Sequence, residues 1–268
     1  AWMVGEEGRG VRTIIEMVAM TRFDCMVGSS SGQRAAVSQA LHHCSLRSAF
    51  GEVLSRQPLM RNVLADLVLE SEGSLALTMR VARALDGRAD EHEDLLVRLC
   101  TAVGKYWICK RTPDHTYESM ECIGGSGVME DSPFARLFRE SPVNAIWEGS
   151  GNVQCLDVLR AMDKAPAVVE AFFMEVAKAR GGNATLDRYT AALHQEFGDL
   201  ADLEYRARDI VDRMALALQA ALLVQHAPAS VADAFCASRL AASGHHNYGA
   251  LPRGVDCAGI IARATPTA

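Results

Sequence analysis

The chain has 268 residues, of which 49% are hydrophobic and 22% are charged, and its formal net charge is −6. This composition is typical of a globular protein with a substantial core, and it excludes a disordered tail or a small disulfide-stapled domain. A nucleic-acid-binding module usually carries a basic excess, so the acidic balance disfavours that class. No apolar run approaches the roughly 18 residues needed to cross a bilayer, so we expect no membrane partner.

The cysteines and histidines indicate the compartment and the metal content. The eight cysteines are scattered without any Cys-x-x-Cys pair. This spacing favours isolated buried thiols in a reducing cytosol, and we therefore expect a cytoplasmic protein. The first residues lack the cationic and apolar segments of a signal peptide. The histidines include two adjacent pairs but no His-Glu-x-x-His spacing, so we expect no metal site.

Apolar residues recur at helical spacing along almost the whole chain. In chain order these stripes cover residues 11–19, 36–41, 60–85, 91–121, 134–140 and 151–162. A Ser-Ser-Ser-Gly run at 29–32 separates the first two stripes, and Pro58 precedes the third. We expect a kink or a local break at Pro113. The run Gly124-Gly125-Ser126-Gly127 is expected to end the helix 91–121.

After Lys164-Ala165-Pro166 the composition shifts to Ala-rich helices. These cover roughly residues 167–179, 184–198, 200–226 and 229–242. Periodicity is lost beyond Gly244, and the chain end at 265–268 is expected to fray. Strand-like alternation is almost absent, and the best candidate covers residues 1–4.

These patterns predict an all-α fold in three parts. Residues 1–10 are a remnant of a preceding β-domain, 11–165 form a four-helix bundle, and 166–268 form an additional helical region. Phenylalanines and large aliphatic side chains after Pro166 are too apolar to stay exposed. We therefore expect the additional region to pack onto the bundle.

Three segments carry motifs whose order and spacing are specific. They are Arg47-Ser48-Ala49-Phe50-Gly51, Glu121-Cys122-Ile123-Gly124-Gly125-Ser126-Gly127 and Ile146-Trp147-Glu148-Gly149-Ser150-Gly151-Asn152. Together they resemble the C-terminal half of acyl-CoA dehydrogenases over roughly residues 5–162. In that family Arg-x-x-Phe-Gly joins two long helices, Gly-Gly-x-Gly follows a third, and an aromatic-Glu-Gly-Thr/Ser turn opens a fourth. The extra helices after Pro166 are most similar to the AidB-like branch, flavoproteins of the bacterial alkylation-damage response.

The resemblance implies an FAD-dependent oxidoreductase acting on a CH–CH bond. Arg47 and Phe50 match residues that reach the FAD of a neighbouring subunit, the arginine toward the pyrophosphate, to which a guanidinium fork is suited. Gly124 and Gly125 match the loop that lets backbone amides approach the phosphates. We therefore expect self-association as a dimer or a dimer of dimers. Judged alone, an arginine at the position of Arg47 is usually a charge on the helix dipole.

The third segment matches the catalytic turn of the family. Glu148 matches the base that removes an α-proton from an acyl-CoA thioester while flavin N5 takes a hydride from the β-carbon. Ser150 and Asn152 match positions that touch FAD, although Ser150 alone is also a good helix N-cap. Some family members carry the base on the first helix, where this chain has Thr21. No competing base is offered there.

The family's N-terminal helical domain and most of its β-domain would lie upstream of Ala1, so the chain resembles about half of a dehydrogenase subunit. Two alternatives stay open, namely a DNA-associated protein of the AidB kind and a structural oligomerisation module without chemistry. Residues 167–268 carry nine basic and eleven acidic residues, a net charge of −2, which does not support a DNA-binding surface. Arginines and acids alternate over 204–213, where we expect a salt-bridged solvent face.

Overall fold

The computed structural model describes residues 1–199, 201–241, 251 and 254–265. These residues form eleven α-helices and one antiparallel two-stranded hairpin. The hairpin pairs β1 (Ser48–Ala49) with β2 (Glu52–Val53). The helices are α1 (Gly10–Leu46), α2 (Pro58–Asp86), α3 (Glu91–Glu121), α4 (Pro133–Glu140), α5 (Val143–Ile146), α6 (Gly151–Lys164), α7 (Ala167–Ala177), α8 (Ala184–Glu196), α9 (Leu203–His226), α10 (Ala229–Phe235) and α11 (Cys257–Ala264). The predicted all-α class is confirmed.

The two long predicted helices, α2 and α3, are confirmed with their boundaries. α2 begins at Pro58. In the first turn of a helix the backbone N–H has no partner within the helix, so a proline there costs no hydrogen bond. The helix ends before Gly87. α3 begins after Asp90, whose carboxylate accepts a hydrogen bond from the Glu93 amide at 3.2 Å. A 3₁₀ turn over Gly124–Val128 follows α3, so the glycine run ends the helix as predicted.

One predicted interruption is wrong, and at a second position the predicted local break is absent. α1 runs unbroken through residues 29–32, because Ser29 and Ser30 are buried and lie on its packing face. The Ser29 hydroxyl lies 3.3 Å from the Cys109 thiol of α3. α3 likewise continues through Pro113 without a local break. Packing against α1 includes a 2.9 Å hydrogen bond from the Gln33 amide to the Thr112 hydroxyl, which holds α3 to α1 beside the proline.

The terminal predictions have mixed outcomes. Residues 1–4 form no strand, because a strand needs a hydrogen-bonded neighbour and no described segment pairs with them. α11 lies in a segment for which no helix was predicted, and the Asp256 carboxylate caps it by accepting from the Gly259 amide. The predictions for Gly244 and its surroundings and for residues 266–268 lie outside the described residues.

The additional region packs onto the bundle as predicted. α1, α2 and α3 pack against one another, and α6 packs on α3. α7 and α9 cover α3, while α9 and α11 pack against α2. Phe172, Leu193, Ile210 and Met214 of this region are buried, with at most 1% of their surface exposed. Their burial joins the two regions in one hydrophobic core.

The charged surface of the additional region is salt-bridged, though with a different partner from the one predicted. Arg206 and Arg213 of α9 both pair with Glu196 of α8, at 2.7 and 3.0 Å, rather than mainly with acids of α9 itself. Two of the arginines in this region are therefore neutralised by a neighbouring helix.

Within the described part of the chain, none of the helices has the length and apolarity that a bilayer span requires.

Candidate active site

The turn between α5 and α6 has an unusual backbone. Glu148 has φ of 58° and Gly149 has φ of 102°, so two consecutive residues lie in the left-handed region. Glycine adopts this region freely, whereas a glutamate there costs of order 1–3 kcal/mol. Such a conformation persists only where surrounding contacts hold it. The turn therefore sets the direction of the Glu148 side chain against the local preference of the chain.

Side chains from three helices hold this turn by its carbonyl groups. Arg22 of α1 donates from Nε to the Glu148 carbonyl at 3.0 Å. Lys105 of α3 donates from Nζ to the carbonyls of Trp147 and Gly149, at 2.8 and 2.6 Å. Gln154 of α6 donates to the carbonyls of Glu148 and Gly149, at 3.1 and 2.9 Å. These five hydrogen bonds fix three successive peptide units, and they leave the Glu148 side chain uninvolved.

The carboxylate of Glu148 lies outside the hydrogen-bond network of the turn. It accepts no hydrogen bond from any described residue, and the side chain is half-buried. Trp147, the preceding residue, is half-exposed, and its indole donates to the Asn144 side chain at 3.1 Å. The Nη1 atom of Arg22 donates to the Asp157 carboxylate at 2.8 Å and not to the Glu148 carboxylate. A carboxylate that accepts no hydrogen bond from the protein has the lone pairs of both oxygens available for a proton.

The two residues that follow the turn have different surroundings. Ser150 occupies the N-cap position of α6, but its hydroxyl makes no capping hydrogen bond. The N-cap interpretation therefore does not account for this side chain. Asn152 accepts a 2.8 Å hydrogen bond from Arg208 of α9, so the additional region contacts the edge of the site. The exposed Ser150 hydroxyl lies two residues from Glu148 and can donate to a ligand there.

A second group of predicted site residues lies where α1 and α3 end. Arg47 follows the last residue of α1, and its guanidinium has no partner among the described residues. Phe50, with φ of 54°, is fully exposed at the tip of the hairpin. Arg47 and Ile123 line the same concavity of about 470 Å³, which brings the hairpin next to the glycine loop. The Cys44 thiol, 3.7 Å from the Cys122 carbonyl, links the two helix ends.

The glycines of this loop differ in whether the chain itself requires them. Gly124 has φ of 74°, a conformation that disfavours any other residue. A Cβ on Gly127 would lie 2.7 Å from the Met120 carbonyl oxygen, so packing requires this glycine. A Cβ on Gly125 would meet nothing within 4 Å, and its φ is not in the left-handed region. Contacts within this chain therefore do not explain a glycine at position 125.

The structure separates the predicted site residues into two groups. Arg47, Phe50, Gly124 and Gly125 lie at one end of the bundle, whereas Glu148, Ser150 and Asn152 lie near Arg22. Arg22 and Arg47 are about 37 Å apart along α1 at 1.5 Å per residue. An extended flavin dinucleotide cannot span that distance. Within one chain, the two groups do not form one cofactor site.

Arg22, Lys105 and Gln154 are the site residues that sequence reasoning missed. All three donate to backbone carbonyls of the turn, and the side chains of Lys105 and Gln154 are buried. The available signal was a lysine in the middle of an apolar helical stripe, flanked by Val103 and Ile108. A buried lysine requires acceptors, and their identity cannot be read from the stripe itself.

The chain belongs to the acyl-CoA dehydrogenase family. Residues 8–162 match the family model for the acyl-CoA dehydrogenase C-terminal domain. This range agrees with the extent of the resemblance predicted from the three motifs. The two groups of residues described above therefore lie within the matched domain, whereas the helices from α7 onward lie outside it.

Among its relatives, the chain is 43% identical to the putative acyl-CoA dehydrogenase AidB of Escherichia coli (strain K12), over 88% of this chain and 43% of that protein. It is 35% identical to acyl-CoA dehydrogenase family member 11 of Caenorhabditis elegans, over 69% of this chain and 30% of that protein. The solved structure of Caenorhabditis elegans ACDH-11 in complex with C11-CoA superposes with a TM-score of 0.82 and 28% identity, covering 90% of this chain and 46% of that one. The chain spans less than half the length of the curated relatives it matches. The predicted similarity to the AidB-like branch is confirmed.

Proposed function

We propose that this chain forms the C-terminal part of an FAD-dependent acyl-CoA dehydrogenase in which Glu148 accepts the α-proton of an acyl-CoA thioester. The observation that carries the proposal is the Glu148 turn, whose strained backbone is held by five hydrogen bonds while its carboxylate stays unpaired. FAD, when bound, supplies the acceptor for the hydride that leaves the β-carbon. The thioester class is supported by the related ACDH-11, which was solved with C11-CoA.

The residues at the other end of the bundle suit the FAD phosphates. The unpaired Arg47 guanidinium provides a two-pronged donor for phosphate oxygens. Gly125 leaves open space where a Cβ would stand between the backbone and a ligand. Phe50, fully exposed on the hairpin, offers an aromatic face to the same ligand. A flavin held there belongs to the catalytic turn of a second copy of the chain, since Glu148 of the same copy lies too far away.

The glycine loop allows a matched test of phosphate binding. Gly125→Ala should leave the free energy of unfolding within about 0.5 kcal/mol of wild type, because the added methyl group meets no atom of the chain. The same variant should lower FAD affinity about tenfold, or about 1.4 kcal/mol, because the methyl group occupies the approach to the phosphates. FAD titration of the full-length protein measures the affinity, and urea unfolding of the same protein measures the free energy of unfolding.

Gly127→Ala is the control for this test. Its methyl group would collide with the Met120 carbonyl, so it should lower the free energy of unfolding by about 1–3 kcal/mol. A Gly125→Ala protein that binds FAD with wild-type affinity would remove this loop from the cofactor site.

Sharing of each flavin between two chains predicts complementation between two inactive variants. When Arg47→Gln and Glu148→Gln chains are co-expressed, half of the dimers contain one chain of each kind. One site of each mixed dimer then carries both substitutions, and the other carries neither. Activity should therefore recover to about a quarter of the wild-type level in the mixture and to about half of it in the isolated mixed dimers. Purification through two different affinity tags isolates the mixed dimers for the measurement.

Complementation requires that Arg47 and Glu148 of one chain contribute to two different flavin sites of the dimer. Mixed dimers that are as inactive as either parent would show that Arg47 and Glu148 of one and the same chain serve one flavin, so that the chains do not share it. Arg56→Gln in place of Arg47→Gln is the control, because Arg56 is exposed on the same connection and pairs only loosely with Glu52, at 3.7 Å.

A further inference from the structure

Lys105 is an ionisable side chain that is almost fully buried, with 1% of its surface exposed. Taking an ammonium group out of water costs several kcal/mol, so such a residue persists only where strong acceptors surround it. Its two hydrogen-bond acceptors are the carbonyls of Trp147 and Gly149, the residues on either side of Glu148. The two hydrogen bonds that offset the cost of burying this lysine are therefore both made to the turn that carries Glu148, the candidate base.

The core around Lys105 is tightly closed. At the neighbouring Gly104, a Cβ would overlap the Met26 side chain of α1, so α1 and α3 approach closely there. The thiols of Cys25 and Cys109 lie near the lysine, and burial lowers the pKa of Lys105 below its ordinary value. This environment confines the aliphatic part of the lysine side chain. Among the described hydrogen bonds, the carbonyl groups that accept from Nζ all belong to the turn.

The effect of Lys105 falls on the backbone of Glu148. A glutamate relaxes from φ of 58° to a negative φ unless its neighbours prevent it, and that relaxation would swing the carboxylate to a new direction. Arg22 and Gln154 hold the Glu148 carbonyl itself. Among the described hydrogen bonds, only that of Lys105 holds the Trp147 carbonyl, whose peptide unit precedes Glu148, and Lys105 also holds the Gly149 carbonyl beyond it, so it opposes rotation of Glu148 about φ.

We propose that Lys105 is the positioning residue of the Glu148 base: by holding the carbonyls of Trp147 and Gly149, it keeps Glu148 in the backbone conformation that aims its carboxylate at the substrate α-carbon. This proposal rests on the proposed function, because it assigns Lys105 a role in proton abstraction. Lys105 itself touches neither substrate nor cofactor. It acts through the geometry of the turn, for which a displacement of about 1 Å can cost about a hundredfold in rate.

The decisive variant is Lys105→Met, which keeps an unbranched side chain as far as the Cε position and removes the donor. In the full-length protein, the rate of flavin reduction at saturating acyl-CoA should fall about a hundredfold. The Kd values for acyl-CoA and FAD should stay at their wild-type values. Lys110→Met on the exposed face of the same helix is the control, and it should reduce flavin at the wild-type rate. Lys105→Gln, which retains a shorter neutral donor, should give an intermediate rate and serves if the methionine variant does not fold.

Hydrogen exchange of the same chain gives a readout that does not depend on activity. Lys105→Met should speed amide exchange over residues 147–151 by about tenfold or more, with no change in the core of α2. A wild-type reduction rate, or a rate loss accompanied by uniformly faster exchange and weaker substrate binding, would overturn the positioning role. If Glu148→Gln keeps full activity, the proposed function fails, and faster exchange confined to 147–151 then shows that Lys105 holds the turn for another purpose.

Discussion

Glu148→Gln should leave FAD bound and lower the rate of flavin reduction by acyl-CoA about a hundred- to ten-thousandfold. Glutamine is nearly isosteric with glutamate, but its amide cannot accept the α-proton. The hydrogen bonds from Arg22, Lys105 and Gln154 end on backbone carbonyls, so the turn keeps its shape in the variant. Anaerobic bleaching of the flavin absorbance by a panel of short acyl-CoA thioesters measures the rate.

Glu140→Gln provides the matched control, because Glu140 is an exposed glutamate at the end of α4. Its rate should equal that of wild type, and its stability should change by no more than about 0.5 kcal/mol. Equal rates in the Glu148→Gln and wild-type proteins would remove Glu148 from the mechanism. Absence of bleaching in both would favour the DNA-associated protein or the oligomerisation module over the dehydrogenase.

Arg80→Met should lower the free energy of unfolding by about 3–5 kcal/mol. Arg80 of α2 lies in the core and donates to Glu93 of α3 and Glu175 of α7, each at 2.7 Å. Burial by itself raises the pKa of Glu175, but the hydrogen bonds from Arg80 and Lys178 hold it at about 2. The carboxylate is therefore charged at neutral pH, and without Arg80 it stays buried with Lys178 as its main cation. Urea unfolding at pH 7 measures the loss.

Arg88→Met tests whether burial, rather than ion pairing as such, sets this effect. Arg88 pairs with Asp94 at 2.8 Å, but both side chains are about half exposed. Solvent screens such a pair, so the variant should lose no more than about 1 kcal/mol. Equal losses for Arg80→Met and Arg88→Met would contradict a special role for the contact that joins the additional region to the bundle.

Short local signals in the sequence were sufficient to predict α2, α3 and the end of α3. Pro58 and the glycines after Glu121 act on their own backbone or on residues within one helical turn. Their effect therefore does not depend on the rest of the fold. The Ser-Ser-Ser-Gly run is a weaker signal of the same kind, and packing of the buried Ser29 and Ser30 against α3 overrode it.

The sequence by itself determined the family, the helical class and the turn that carries Glu148, because these depend on residues close together in the chain. The tertiary structure alone decided what holds that turn, since Arg22 and Lys105 reach it from 126 and 42 residues away. It also decided which end of the bundle each motif occupies. That placement follows from the unbroken length of α1 and the close packing of α1 on α3, and packing between distant segments leaves no periodic signal in the sequence.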